Sequence, residues 1–117
     1  MNRAAAIVPL LVAAGCASPA EAAYREAVEC LSQYPEGEMR PGPPGSEMPG
    51  RTVAVVTAER DAFRARALEH GRAIGKSPAD VAADARAFHD EILGPDAHGT
   101  EERMEALGAT CRRRLAG

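Results

Sequence analysis

Hydrophobic and polar positions repeat with a helical period in four separate segments of the chain. In the first, four residues have the i, i+4, i+7, i+11 spacing of one helical face: Ala23, Ala27, Cys30 and Tyr34. The segment opens with Ser18-Pro19-Ala20-Glu21, a capping-box pattern with proline in the first helical position. Because the residue before a proline disfavours helical geometry, Pro35 ends the segment. We predict a helix that begins at or shortly after Ser18.

The second segment predicts a helix from about Thr52 to Ile74. Its apolar residues recur at intervals of three or four positions: Val53, Val56, Phe63, Ala67 and Ile74. The run 53–56 would also suit a strand, but no other segment offers a partner strand. Four charged residues are expected on the solvent side: Arg60, Arg64, Glu69 and Arg72. Gly75 suits the position just beyond the helix.

The third and fourth segments also carry helix start signals. Ser77 is a good N-cap, Pro78 suits the first helical position, and Asp80 places negative charge in the first turn. The third stripe consists of Val81, Ala85, Phe88 and Ile92, and Gly94-Pro95 ends that helix. The fourth helix starts after Thr100, and its stripe consists of Met104, Leu107, Cys111 and Leu115.

Residues 35–50 read as a linker between the first two helices. Five prolines and four glycines in sixteen positions leave no room for a helix or a strand. The stretch 41–44 has the P-x-x-P pattern of a polyproline ligand, although an ordinary loop is the simpler interpretation.

These elements predict an all-α fold, a small four-helix bundle with a long Pro/Gly-rich linker between helices 1 and 2. The length of 117 residues fits one domain, here expected over residues 23–117. Apolar residues make up 45% of the chain but aromatic ones only 3%, so we expect a thin core based on alanine. A net charge of −3 without a basic stripe gives no reason to expect nucleic-acid binding.

Residues 1–22 are predicted to be a signal peptide rather than part of the fold. Arg3 precedes an uncharged, mostly apolar run over residues 4–15. Twelve residues match the apolar region of a signal peptide and fall short of the roughly 20 needed to span a bilayer. No later segment is apolar enough to cross a membrane. We therefore expect an exported protein of the periplasm or cell envelope.

Two cleavage sites compete. Val12-Ala13-Ala14-Gly15-Cys16 resembles a bacterial lipobox, which implies cleavage before Cys16 and lipidation of its thiol. Ala20-Glu21-Ala22 is instead an A-x-A site for ordinary signal peptidase. Cleavage there would remove Cys16 and the Ser18 cap, and the helix would then start nearer Tyr24. In the first case a lipid on Cys16 is the only expected membrane attachment.

Either cleavage leaves Cys30 and Cys111, an even pair in an exported chain, which predicts one disulfide. Both cysteines lie on apolar stripes, so the bond should be buried between helices 1 and 4. Each also lies near the C-terminal end of its helix, so we expect these helices to be parallel or steeply crossed.

No motif predicts catalysis, a cofactor or a metal centre. The three histidines, His70, His89 and His98, lack metal-ligand spacing, and the best weak option is His89 with Asp84 or Asp90. Two carboxylate pairs share helical faces at i, i+4: Asp80 with Asp84, and Glu101 with Glu105. The Gly75-Lys76-Ser77 triplet lacks the upstream glycine of a phosphate-binding loop and reads as a helix stop followed by a cap.

The layout resembles small uncharacterised exported proteins and lipoproteins of high-GC Gram-negative bacteria. Four segments carry the resemblance: residues 11–16, 24–30, 75–80 and 111–115. It implies a leader, an alanine- and arginine-rich helical body, and one cysteine in the first and last helices. It implies no activity.

We therefore expect a non-enzymatic envelope protein, a structural or protein-binding helical module whose partner is another envelope protein. Two alternatives stay open. One is an acid-responsive periplasmic chaperone. The other is a carrier of a small ligand, or of a metal held by His70 or His89 in the bundle.

Overall fold

Four α-helices build the part of the chain that the computed structural model describes, namely residues 18–46, 49–93 and 100–117. They are α1 (Pro19–Leu31), α2 (Val53–Ala73), α3 (Pro78–Leu93) and α4 (Thr100–Ala116). The predicted all-α class and the long loop between α1 and α2 are confirmed. Most of the predicted signal peptide, with its lipobox cysteine, and the predicted stop at 94–95 lie outside the described residues.

Hydroxyl side chains begin three of the helices; the sequence predicts the caps at Ser18 and Ser77, whereas the cap at Thr52 is a finding of the structure. The Ser18 hydroxyl accepts the N–H of Glu21 at 3.1 Å, and Thr52 caps α2 in the same way. At α3 the capping is reciprocal. The Ser77 hydroxyl accepts the N–H of Asp80 at 3.1 Å, and the Asp80 carboxylate accepts the N–H of Ser77 at 2.9 Å. Each contact satisfies a backbone donor that the helix itself leaves unpaired.

A glycine turn ends α2 and leads directly into α3. The N–H of Lys76 donates to the carbonyl of Gly71 at 2.8 Å, and the N–H of Gly75 donates to that of Arg72 at 3.2 Å. Gly75 has a φ of +81°. These two bonds and the left-handed residue form a Schellman motif, in which glycine avoids the penalty of a Cβ. The turn sends α3 back along α2.

The core lies where α1 packs against α2 and α3. Its members are mostly small: Tyr24, Ala27, Val28, Cys30, Leu31, Phe63, Ala67, Val81, Ala85 and Cys111. Phe63 is the largest fully buried side chain, with 1% exposed. Phe88, which the stripe on α3 predicted to be buried, is only half-buried. The alanine-based core that the composition predicts is therefore present, centred on one phenylalanine.

The predicted disulfide joins α1 to α4. The Sγ atoms of Cys30 and Cys111 are 2.03 Å apart and the Cα atoms 5.6 Å apart, and both residues are buried. On the C-terminal side of Cys30, the Gln33 amide donates to the sulfur of Cys111 at 3.2 Å. On the N-terminal side of Cys30, the carbonyl of Glu26 accepts a hydrogen bond from the Arg114 guanidinium at 3.3 Å.

The contacts made by α1 and α4 therefore run in opposite chain directions, so the expected parallel arrangement is wrong. The other expected arrangement, steeply crossed helices, stays a prediction. Helices that run in opposite directions can bring two C-terminal cysteines together when only their C-terminal parts overlap.

Arg60 fastens the start of the linker to α2. Its guanidinium donates to the carbonyls of Pro35, at 3.1 Å, and Gly37, at 2.5 Å. Only 9% of Arg60 is exposed, so its predicted place on the solvent side is wrong. The bent linker leaves these two carbonyls without a helical partner, and the guanidinium supplies their hydrogen bonds. Further along, Ser46 closes a turn by bonding to the carbonyl of Pro43.

Candidate functional site

A groove of about 540 Å³ opens between the end of α1, the first residues of the linker, and α3. Eleven residues line it: Leu31, Ser32, Tyr34, Pro35, Glu36, Arg64, Ala82, Ala85, Arg86, His89 and Asp90. Its volume falls within the roughly 300–1,000 Å³ of small-molecule sites. The sequence singled out His89 and Asp90 among these residues, but no pattern predicted that they line a groove, so the groove is a finding of the structure.

The groove exists because α3 presents small side chains to it. Ala82 and Ala85 are three residues apart and share a helical face with Arg86 and His89. Two methyl groups leave unfilled the space that larger side chains would occupy. Leu31, Tyr34 and Pro35 supply the opposite apolar wall. The result is an apolar floor with charged groups at its edge.

Ion pairs surround the mouth of the groove. Arg86 on α3 contacts Glu36 of the linker at 3.1 Å, with 58% and 61% of the two side chains exposed. Arg64 on α2 contacts Asp61 at 3.5 Å, and both side chains are largely in solvent. Pairs this exposed contribute roughly 0–1 kcal/mol each. Both arginines can therefore exchange these partners at little cost.

His89 is oriented by the end of α1. Its Nδ1 lies 3.0 Å from the carbonyl oxygen of Ser32, the residue that caps α1. A carbonyl only accepts, so Nδ1 carries the hydrogen and Nε2 is the ring nitrogen left for another contact. The bond satisfies one of the carbonyls that a helix end leaves unpaired.

The weak metal option that the sequence suggests gains nothing from this arrangement. His89 shares the groove with Asp90, whereas Asp84 is engaged elsewhere. No group of three potential metal ligands comes together within the ranges described. His70 is half-buried on α2 and does not line the groove, and His98 lies outside the described residues.

Tyr24 holds α1 to α3 through a charged network. Its hydroxyl donates to the carboxylate of Asp84 at 2.5 Å, and Lys76 contacts the same carboxylate at 3.0 Å. The ammonium of Lys76 also lies 5.7 Å from the centre of the Tyr24 ring. Burial and the bond to Asp84 raise the pKa of Tyr24, and the hydrogen bond from Tyr24 lowers the pKa of Asp84.

Tyr34 ties the segment just after α1 to α2. Its hydroxyl donates to Glu59 at 3.0 Å, and Arg51 contacts the same carboxylate at 2.6 Å. Burial and the bond to Glu59 raise the pKa of Tyr34 to about 12. Burial opposes the ionisation of Glu59, but the hydrogen bonds from Arg51 and Tyr34 outweigh it and lower its pKa. Because Tyr34 also lines the groove, this network fixes one of its walls.

The two carboxylate pairs of the sequence do not form acid–base sites. Asp80 caps α3, and hydrogen bonds from Ser77 lower its pKa, while Asp84 serves Tyr24. Glu101 and Glu105 are exposed on α4. The lipidation candidate Cys16 lies outside the described residues. The disulfide cysteines, Cys30 and Cys111, are bonded and lie outside the groove lining.

Among the described residues, no helix combines the length and the apolar character needed to cross a membrane.

Comparison with known proteins adds no relative. No protein-family model, no curated protein and no solved structure matches this chain.

Proposed function

We propose that this chain is an exported, non-enzymatic binding module of the cell envelope, and that the groove beside α3 is its binding surface. One observation carries the proposal, an apolar groove whose rim arginines pair only with exposed carboxylates. Such concave apolar surfaces with a few polar groups are where proteins bind other molecules. The expected partner is another envelope protein that meets the residues around the mouth.

The surrounding structure supports a preformed site. The disulfide fixes α1, and the Tyr34–Glu59 bond and the hydrogen bonds from Arg60 fix the start of the linker, so two of the elements around the groove are held in place. A preformed surface loses less conformational entropy on binding than a flexible one.

Site-specific photo-crosslinking in envelopes of the source bacterium tests the proposal. A photoreactive amino acid at Arg86, on the mouth, should capture a defined partner. The matched control is exposed Ala87, the next residue on α3, which does not line the groove. Identical products from both positions, or none from Arg86, would refute a binding role for this surface.

The export part of the proposal has its own measurement. Mass spectrometry of the mature protein from membrane and soluble fractions should show either a lipid-modified Cys16 or an amino terminus near Ala23. A chain that retains residues 1–15 in the cell interior would contradict export.

An acid-responsive chaperone remains a second candidate, and the two tyrosine networks favour it. Asp84 and Glu59 accept the bonds that tie the α1 region to α3 and α2. Acid would protonate them and weaken both networks. This candidate predicts binding of an apolar dye at pH 2–4 while the disulfide stays intact, and an unchanged native spectrum there would exclude it.

A further inference from the structure

We propose that the groove beside α3 binds a small amphiphile with an apolar tail and a single carboxylate head. The inference rests on the part of the proposed function that makes this groove a binding surface, and it adds a small ligand to the protein partner expected there.

The floor of the groove suits an apolar tail. The Ala82 and Ala85 methyl groups on one side face the Leu31 and Tyr34 side chains on the other. The hydroxyl of Tyr34 is already bonded to Glu59, so the ring presents apolar surface to a ligand. Burial of an apolar chain here is favourable because it removes apolar surface from water.

The contact between Arg86 and Glu36 indicates where the head would lie. The carboxylate of Glu36 comes from the linker and reaches across the mouth to a guanidinium fifty residues away in sequence. Arg60 holds the backbone on both sides of Glu36, through Pro35 and Gly37. Glu36 can therefore leave by a movement of its side chain alone. The carboxylate of a ligand would take its place on Arg86, with Arg64 lining the same groove.

The other charges at the rim limit the ligand to one negative charge. Arg64 and Arg86 face the carboxylates of Glu36 and Asp90, and Asp61 contacts Arg64. The rim already has three carboxylates against two arginines, so a ligand carboxylate is accommodated only on Arg86, with Glu36 turned into solvent. A phosphate or a dicarboxylate would add a second negative charge beside Asp90, and a cationic head could not pair with Arg86. His89 offers Nε2 as a further polar contact.

Binding can be measured on the purified, disulfide-bonded protein by calorimetry and by amide chemical shifts. The probes share one tail length: octanoate, octanol, octyl phosphate and octyltrimethylammonium, each below its micelle concentration. We expect octanoate to bind most tightly, in a saturable manner, with shifts confined to the groove-lining residues. Equal or tighter binding of the cation or the phosphate would overturn the proposal.

Three variants separate the proposed roles from general effects. Arg86→Gln should weaken octanoate binding at least about tenfold, because it removes a charge-assisted bond. Arg113→Gln, which removes an exposed arginine of α4 outside the groove, should leave binding unchanged. Glu36→Gln should tighten binding, because it removes the competing carboxylate. A loss of affinity with Glu36→Gln, or equal losses for both arginine variants, would refute the assignment of the head.

The ligand class and the binding role can fail separately. Capture of a defined partner from Arg86, without octanoate binding, would keep the binding surface and refute the carboxylate ligand. Octanoate binding with the predicted variant effects, without any captured partner, would support the ligand and refute the protein-binding role.

Discussion

Opening the bond between Cys30 and Cys111 should remove a large part of the free energy of unfolding. The bond spans 81 residues, and closing a loop of that length lowers the entropy of the unfolded chain by an amount worth about 4–5 kcal/mol. Natural domains have only about 5–15 kcal/mol in total. The core offers little in compensation, since Phe63 is its one large fully buried apolar side chain.

For a domain of this size each kcal/mol corresponds to roughly 4–8 °C, so we expect the Tm to fall by about 16–40 °C. The assay is thermal unfolding followed by circular dichroism, with the oxidised protein, the reduced protein and Cys30→Ser measured side by side. If loop closure is the cause, the reduced protein and the variant should fall by similar amounts. A reduced protein that melts within about 5 °C of the oxidised one would refute the reasoning.

Three further predictions follow from single contacts. Phe63→Ala should lower the free energy of unfolding by about 3–5 kcal/mol in urea denaturation, and a loss under 1 kcal/mol would contradict its central place. Gly75→Ala should lower the free energy of unfolding by about 1–2 kcal/mol, because Gly75 has a left-handed φ. Gly37→Ala should lower it far less, because Gly37 has open space around it, and equal losses would contradict the role of Gly75 in the turn. The folded-state pKa values of Asp84 and Glu59 are lowered, so their stabilisation is present above the unfolded pKa of roughly 4 and is lost as the pH falls through the folded values. The free energy of unfolding, measured by denaturation at several pH values, should therefore fall below about pH 5. It should fall less steeply in Asp84→Asn and Glu59→Gln, and unchanged slopes in these variants would contradict this coupling.

Local chemistry explains why the sequence predicts the helices well. Ser18, Ser77 and Gly75 act on backbone groups within a few residues of themselves, so their roles can be read from short patterns. The disulfide was predictable for another reason, because only two cysteines follow the predicted leader and both lie on apolar stripes.

The groove and its contacts depend on residues far apart in the chain. Arg60 bonds to carbonyls 23 and 25 residues away, and Arg86 meets a carboxylate at a separation of 50. No periodic pattern encodes such partners. Tyr24 and Tyr34 gave a partial signal, since a buried hydroxyl needs a partner. The sequence pattern does not predict which residues these partners are, namely Asp84 and Glu59.

The disulfide also makes a covalent ring of the chain between Cys30 and Cys111, and the whole linker lies within this ring. A single cut by a glutamyl endopeptidase after exposed Glu38 would open the ring without releasing either piece. The nicked protein would migrate as one band on a non-reducing gel and as two after reduction. A protein built in this way can lose the continuity of an exposed loop and still keep α1 attached to α4.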